Sequence, residues 1–157
     1  MTTAVTVIFL IIMNAVYRKI NKLPLTTIIP VWLFVILIPG LTFNVIVTNL
    51  ERIEKPKSAD PYIAYLLLQY CLLPVAILFI IHLFNKQGIL YKGAAIFGGT
   101  IALMLIERII AFAGLFQYIR WTLGHSALLW LFIIISSIAF FVFVESKFIR
   151  GDSIRYG

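Results

Sequence analysis

Cysteine, histidine and charge are scarce in this sequence, and each shortage excludes something. The one cysteine, Cys71, lies inside an apolar run. No intrachain disulfide can form, and neither can a cysteine-based zinc cluster. His82 and His125 fall on stretches expected to place them at opposite faces of a membrane, so no shared metal site follows. No glycine-rich phosphate loop, GxSxG elbow or HExxH pair occurs. Ser136 and Ser137 have no histidine or aspartate nearby and are expected to bond back to carbonyls of their own helix. The chain therefore reads as non-enzymatic, with no cofactor and no metal. Internal repeats are missing as well, which removes the inverted-repeat logic of secondary transporters.

Charged residues make up only 12% of the chain, against about 25% in soluble domains. The longest polar stretch, "NLERIEKPKSAD", has twelve residues, too few for a soluble domain. What fills the sequence instead is apolar: 62% of its 157 residues are hydrophobic, and the mean hydropathy is +1.07. A soluble domain of this size still exposes much of its surface, so one core cannot hide that surplus. A lipid bilayer is the solvent that accepts it. The net charge of +7 would suit nucleic acid in a soluble protein. Here the basic residues lie between apolar segments, which makes them membrane-flanking anchors rather than a nucleic-acid surface.

A bilayer core about 30 Å thick takes roughly 20 helical residues. Five apolar stretches approach that length, at about 2–17, 24–48, 61–84, 93–117 and 125–146. Backbone groups in lipid must be satisfied within the segment, and the period-2 alternation of a membrane barrel is missing, so these are helices. The expected fold is an all-α, polytopic transmembrane bundle forming one domain with five spans. The first stretch is short and interrupted by Asn14, so the alternative is four spans plus an interfacial N-terminal helix. In "MTTAVTVIFLIIMNAVYRK" the positive charges follow the apolar run and no small-x-small cleavage pattern closes it, which favours a first span over a signal peptide. Orientation follows from the basic residues. Arg18, Lys19, Lys22, Lys86, Lys92, Lys147, Arg150 and Arg155 fall on one side, and Arg52, Lys55, Lys57 and Arg120 on the other. The richer side belongs in the cytoplasm, giving an N-terminus outside and a C-terminus inside.

Within the spans, Pro30, Pro39 and Pro74 remove backbone hydrogen bonds and favour kinks. "IPGL", with Gly40 after Pro39, is the strongest expected break, and Pro39, Gly40 and Pro74 are the candidate hinge. Asp60-Pro61 is expected to open the third helix as cap and first residue. Ala94 with Gly98 and Ala95 with Gly99 are spaced four apart, the pattern of a close helix-packing face or, alternatively, of a homo-oligomer contact.

The exception to all this greasiness is "MLIERIIAFAG" (104–114), which sets Glu107 and Arg108 side by side in an apolar helix. A mid-helix charge costs about 2.5–3.5 kcal/mol on insertion scales. Helix neighbours diverge by about 100°, so the two do not face each other, and neither has a polar residue three or four positions away. Partners must come from other helices, water or headgroups. At 1.5 Å per residue, Glu107 lies about 15 Å from an outer end at 117, and Gln69 about 12 Å from the same surface. Tyr62, Tyr65 and Gln69 share a face of the third helix, Asn44 is shallower on the second, and Tyr118, Trp121 and His125 lie at the outer ends. The candidate polar cluster is Glu107, Arg108, Gln69, Tyr65 and Asn44.

The runs "CLLPVAILFI", "GILYKGAAIFGGTIALMLIERI" and "GLFQYIRWTLGHSALLW" resemble a group of small multi-pass membrane proteins of spore-forming Gram-positive bacteria. That group has a proline in one helix, a tyrosine after the next loop, a glutamate deep in the following helix, then Gly, Tyr and Trp before the last. Pro74, Tyr91, Glu107, Gly114, Tyr118 and Trp121 take those places. The resemblance covers about residues 70–148, and the last helix departs from the group's aromatic and basic pattern. It implies a multi-pass protein of a bacterial cytoplasmic membrane and no particular activity. The translocator proteins also have five helices, but their tryptophan- and proline-rich signature is missing here. The expected function is a structural or accessory membrane component whose partners are the bilayer and other membrane proteins. The alternative is binding or transport of a small molecule, ion or proton centred on Glu107.

Overall fold

The computed structural model describes residues 2–20, 25–54, 56–86 and 88–152. Lys22, Lys55 and Arg155, three of the residues that set the expected orientation, lie outside them. The described residues form five helices and two short strands. The helices are α1 (Thr2–Ile20), α2 (Leu25–Asn44, prolonged by a π turn at Val45–Asn49), α3 (Ala59–Phe84), α4 (Ile89–Phe112) and α5 (Leu123–Asp152). Four of the described helices are long and apolar enough to cross a membrane, and α1 carries a shorter apolar run, Thr3–Tyr17.

α3 is the axis of the bundle. Within its apolar window 61% of residues are buried, against 28% for α2 and for α4. Ile77 and Ile81 of α3 meet Trp130, Ile133, Ile134 and Phe141 of α5 in one core that also takes Val31 and Val35 of α2. α1 lies along α3. The Thr3 hydroxyl is 2.6 Å from Asp60 Oδ1, and Leu10 packs with Ala64, Leu68 and Leu72. Outward faces stay apolar, as shown by the exposed row Phe97, Ile101, Leu105 and Ile109 on α4. That row repeats every four residues, so it forms a stripe along one side of the helix.

Proline perturbs the helical hydrogen bonding without breaking the helices. Pro74 has no N–H, and its ring crowds the carbonyl four residues back. The chain answers with a π turn at Leu68–Leu72, in which the Leu73 N–H reaches Leu68 O. The turn buries Gln69. The kink or hinge expected at Pro39 and Gly40 does not interrupt the helical course of α2. Both lie inside a continuous helix, and a Cβ on Gly40 would meet Tyr70 Cε1 at 3.3 Å.

Three expected boundaries are corrected. Asp60 does not cap α3: Ser58 is the boundary residue, in extended conformation and without a side-chain cap, and Asp60 in the first turn binds Thr3 instead. The helix of the fourth apolar stretch ends at Phe112 rather than 117. Gly114, at φ 76°, takes the left-handed conformation that ends helices. Its N–H bonds Ala111 O at 2.9 Å and the Leu115 N–H bonds Ile110 O at 3.2 Å, while Leu115 packs on Ile110. This pair of crossed bonds with its apolar clasp is a Schellman stop. The fifth helix starts at Leu123 and runs past 146.

The chain leaving that stop folds over the end of the bundle. Gln117–Tyr118 pairs antiparallel with Ile53–Glu54, Tyr118 opposite Ile53. Ile119 N–H donates to Arg52 O at 3.0 Å, and Arg52 Nη1 donates to Arg120 O at 3.0 Å. This two-strand ladder ties the 49–58 loop to the 113–122 loop and marks one end of the molecule, called here the ladder end.

Candidate functional site

Glu107 sits five residues before the end of α4, about 8 Å along the helix axis. It is thus closer to the ladder end than the 15 Å expected, because the helix stops early. Its side chain is only 3% exposed. The ladder holds Tyr118 beside it, and the Tyr118 hydroxyl donates to Glu107 Oε1 at 2.7 Å. The opening of α5 supplies two more donors at positions four apart, which share a helix face. Ser126 Oγ donates to Oε1 at 2.9 Å, and Trp130 Nε1 donates to Oε2. Behind Ser126, Trp121 Nε1 donates to its hydroxyl oxygen at 2.8 Å. Such a chain of donors polarises each successive bond toward the carboxylate.

Three donors therefore converge on one acceptor group from two segments distant in sequence. An ionised carboxylate accepts all of them, whereas a carboxylic acid would bring a fourth donor. Hydrogen bonds to a charged group are worth about 1.5–3 kcal/mol each. Arg108 does not face Glu107. Its guanidinium carbon lies 4.5 Å from the centre of the Tyr118 ring, inside cation–π range. The adjacent charges are thus joined through one tyrosine, whose ring takes the cation and whose hydroxyl serves the anion. Arg108 Nε is buried with no partner among the described residues. Burial, then the hydrogen bond to Glu107 and its charge, push the Tyr118 phenol well above the ordinary tyrosine range, while Arg108 opposes the shift.

Glu107 also lines a cavity of about 30 Å³, with Gln69 and Tyr65 of α3, Phe43 of α2, Phe116 of the covering loop and Trp130 of α5 among its walls. Gln69 is 5% exposed, and its Nε2 has no partner among the described residues. Four of the expected cluster therefore come together: Glu107, Gln69 and Tyr65 around the cavity and Arg108 through Tyr118. Asn44 does not join them. It is exposed at the end of α2 and is not a cavity wall; the buried positions there are Phe43 and Ile46. Ser126, Trp130, Phe43 and Phe116 were not read as site residues. The Ser126/Trp130 spacing at the start of α5 was the available signal.

The small residues of α4 divide. Ala95 and Gly99 are buried, and a Cβ on Gly99 would come within 2.8 Å of Ile80 Cδ1. Ala94 and Gly98 are exposed, and nothing lies within 4 Å of a Cβ on Gly98, so they are not an internal packing pair. Among the described residues no three His, Cys, Asp or Glu side chains gather as metal ligands. Comparison with known proteins returns no match: no family model, no curated protein and no solved structure corresponds to this chain.

Proposed function

We propose that this chain is an integral protein of a bacterial cytoplasmic membrane, with five spans, an N-terminus outside and a C-terminus inside. Its role is that of a non-enzymatic accessory or structural component. The ladder end is then the outer end. α1 counts as a span because it runs beside α3 from Thr3 at Asp60 through Leu10 at Leu72. An interfacial helix would leave that flank. With its loops short, the protein meets its partners through its lipid-facing sides, where Ala94 and Gly98 leave a small-residue track for a neighbouring helix or a second copy.

The observation that carries this reading is the fixed state of Glu107. Three donors hold it, two of them from α5 and one from the outer loop. That makes the carboxylate a lock joining α4, α5 and the cap. Replacing Glu107 by Gln sets an amide N–H₂ against donors. Removing one member of a buried charged network costs about 3–5 kcal/mol. The test is thermal unfolding of Glu107→Gln in detergent, with proton flux measured in proteoliposomes. A lock predicts a large loss of stability. A variant as stable as wild type but altered in flux would replace the lock with a transport site.

A further inference from the structure

We propose that Arg108 anchors a phosphate-binding site at the ladder end, filled by the phosphodiester of a membrane lipid. The inference rests on the reading of the chain as an integral membrane protein and goes beyond the role given to Glu107.

Arg108 is a cation without an anion. A guanidinium keeps its charge in a protein, and a charge withdrawn from water needs an opposite charge and hydrogen-bond acceptors. The neighbouring carboxylate supplies neither, since Glu107 is turned to Tyr118, Ser126 and Trp130. Among the described residues Arg108 makes no hydrogen bond and no ion pair, and its guanidinium rests on the Tyr118 ring. Of its nitrogens only Nε is buried without a partner. The side chain is half-buried, so Nη1 and Nη2, neither bonded nor buried, form its outward edge. Such an edge presents parallel N–H donors, the fork that takes two phosphate oxygens at once. Tyr118 is itself fixed, by the ladder and by its bond to Glu107. The fork is therefore positioned before any ligand arrives, which lowers the cost of binding.

The surroundings favour a lipid over free phosphate. Arg108 lies four residues before the end of α4, about 6 Å along the axis. Its guanidinium reaches the ring of a residue in the loop beyond that end, where apolar helix gives way to polar chain. Leu105 and Ile101, three and seven residues earlier, share its helix face and are each 59% exposed. Phe112, one turn beyond Arg108, is almost fully exposed. An apolar track thus leads from the guanidinium along the bundle. A lipid held by its phosphate at Arg108 lays an acyl chain on that track, which a free anion leaves bare.

A ligand of the folded state raises the unfolding temperature by mass action. The test is the unfolding temperature of the purified protein in a non-ionic detergent. It is titrated with phosphatidylglycerol, with diacylglycerol of the same chains, and with inorganic phosphate at constant ionic strength. The expected result is a saturable rise with phosphatidylglycerol and none with diacylglycerol. Arg108→Gln should weaken the apparent affinity at least about tenfold. Arg120→Gln, which removes an exposed arginine at the same end, should leave the response unchanged. An equal rise with inorganic phosphate overturns the lipid and assigns the site to free phosphate. If the two lipids act alike on wild type, a comparison that needs no variant to fold, the proposal is overturned. A wild-type response in Arg108→Gln, or the same loss in Arg120→Gln, overturns it as well. None of these results touches the lock, which fails only if Glu107→Gln is as stable as wild type. The membrane reading fails separately, if an alkaline wash without detergent releases the chain from membranes.

Discussion

Tyr118 does two jobs with one side chain, and substitutions separate them. Phenylalanine keeps the ring beneath Arg108 and removes the hydroxyl that serves Glu107. A lost bond to a charged acceptor costs about 1.5–3 kcal/mol. Leucine removes the ring as well and should cost about a further 0.5–2 kcal/mol as the cation–π contact goes. Denaturation of both variants in mixed micelles gives the two increments. The phenol has its own signature in pH. Its folded pKa is raised by burial first and by Glu107 next. The neutral phenol therefore contributes stability that is fully present below the ordinary tyrosine pKa of about 10 and is lost as pH rises through the raised folded value. A UV difference titration of wild type minus Tyr118→Phe should show this tyrosine ionising later than a free one. A normal midpoint would mean that the Glu107 bond does not form. The need for a partner from another segment was legible in the sequence, because adjacent helix residues cannot face each other. That the partner would be a tyrosine shared between the two charges was not, since it depends on where the chain folds back.

Where it folds back is decided at the level of the element, by Gly114. The signal was present, a glycine after a helical run followed by an apolar residue to clasp the last turn. Leu115 and Phe116 continue the apolar run and mask it, because hydropathy does not distinguish a helix in lipid from a buried loop. The same early stop brought Glu107 closer to the end of its helix. A Cβ at φ 76° costs about 1–2 kcal/mol for an L-residue. Gly114→Ala should therefore lose about that much stability and, by loosening the cap, weaken the Tyr118 contact. Coupling measured in a double-mutant cycle with Tyr118→Phe would report it. The glycines of α4 make a sharper pair. Gly99→Ala drives a methyl to 2.8 Å from Ile80 Cδ1 and within 3.0 Å of its neighbour Cγ1, so overpacking should cost about 1–3 kcal/mol. Gly98→Ala meets nothing within 4 Å and should leave the monomer unharmed or gain up to about 1 kcal/mol from helix propensity. Comparing the two unfolding curves checks this, and equal losses would mean that the α3–α4 contact is wrong. The four-residue spacing of small residues was plain in the sequence. Which pair faces inward was not, because the two pairs are neighbours one position apart and the π turn Ala94–Gly98 shifts the face within that stretch.

At the scale of the whole molecule, the loops sort by what they are made to do. The 49–58 and 113–122 loops pair with each other and cover the carboxylate. The loop that joins α3 to α4 is simpler. Lys86 lies over the Tyr91 ring and Lys92 over Phe84, cations held at the apolar boundary where their stems can stay in lipid and their ammonium groups meet headgroups. In the proposed orientation these basic residues meet the cytoplasmic leaflet, which carries the anionic lipids. The helices alternate in direction through α2, α3, α4 and α5, so the ladder lies at the other end of the bundle, the outer end in the proposed orientation. α1 starts beside the start of α3 and shares its direction. Its N-terminus therefore lies on the ladder side too, and this parallel pairing puts 20 and 88 at one end of the bundle and 54 and 122 at the other. Reporter fusions after those four positions should be cytoplasmic at 20 and 88 and external at 54 and 122. A cytoplasmic reporter at 54 and 122 with an external one at 88 inverts the molecule and places the lock at the inner leaflet. A reporter at 20 that reads with 54 instead of 88 would take α1 out of the membrane and break its packing along α3.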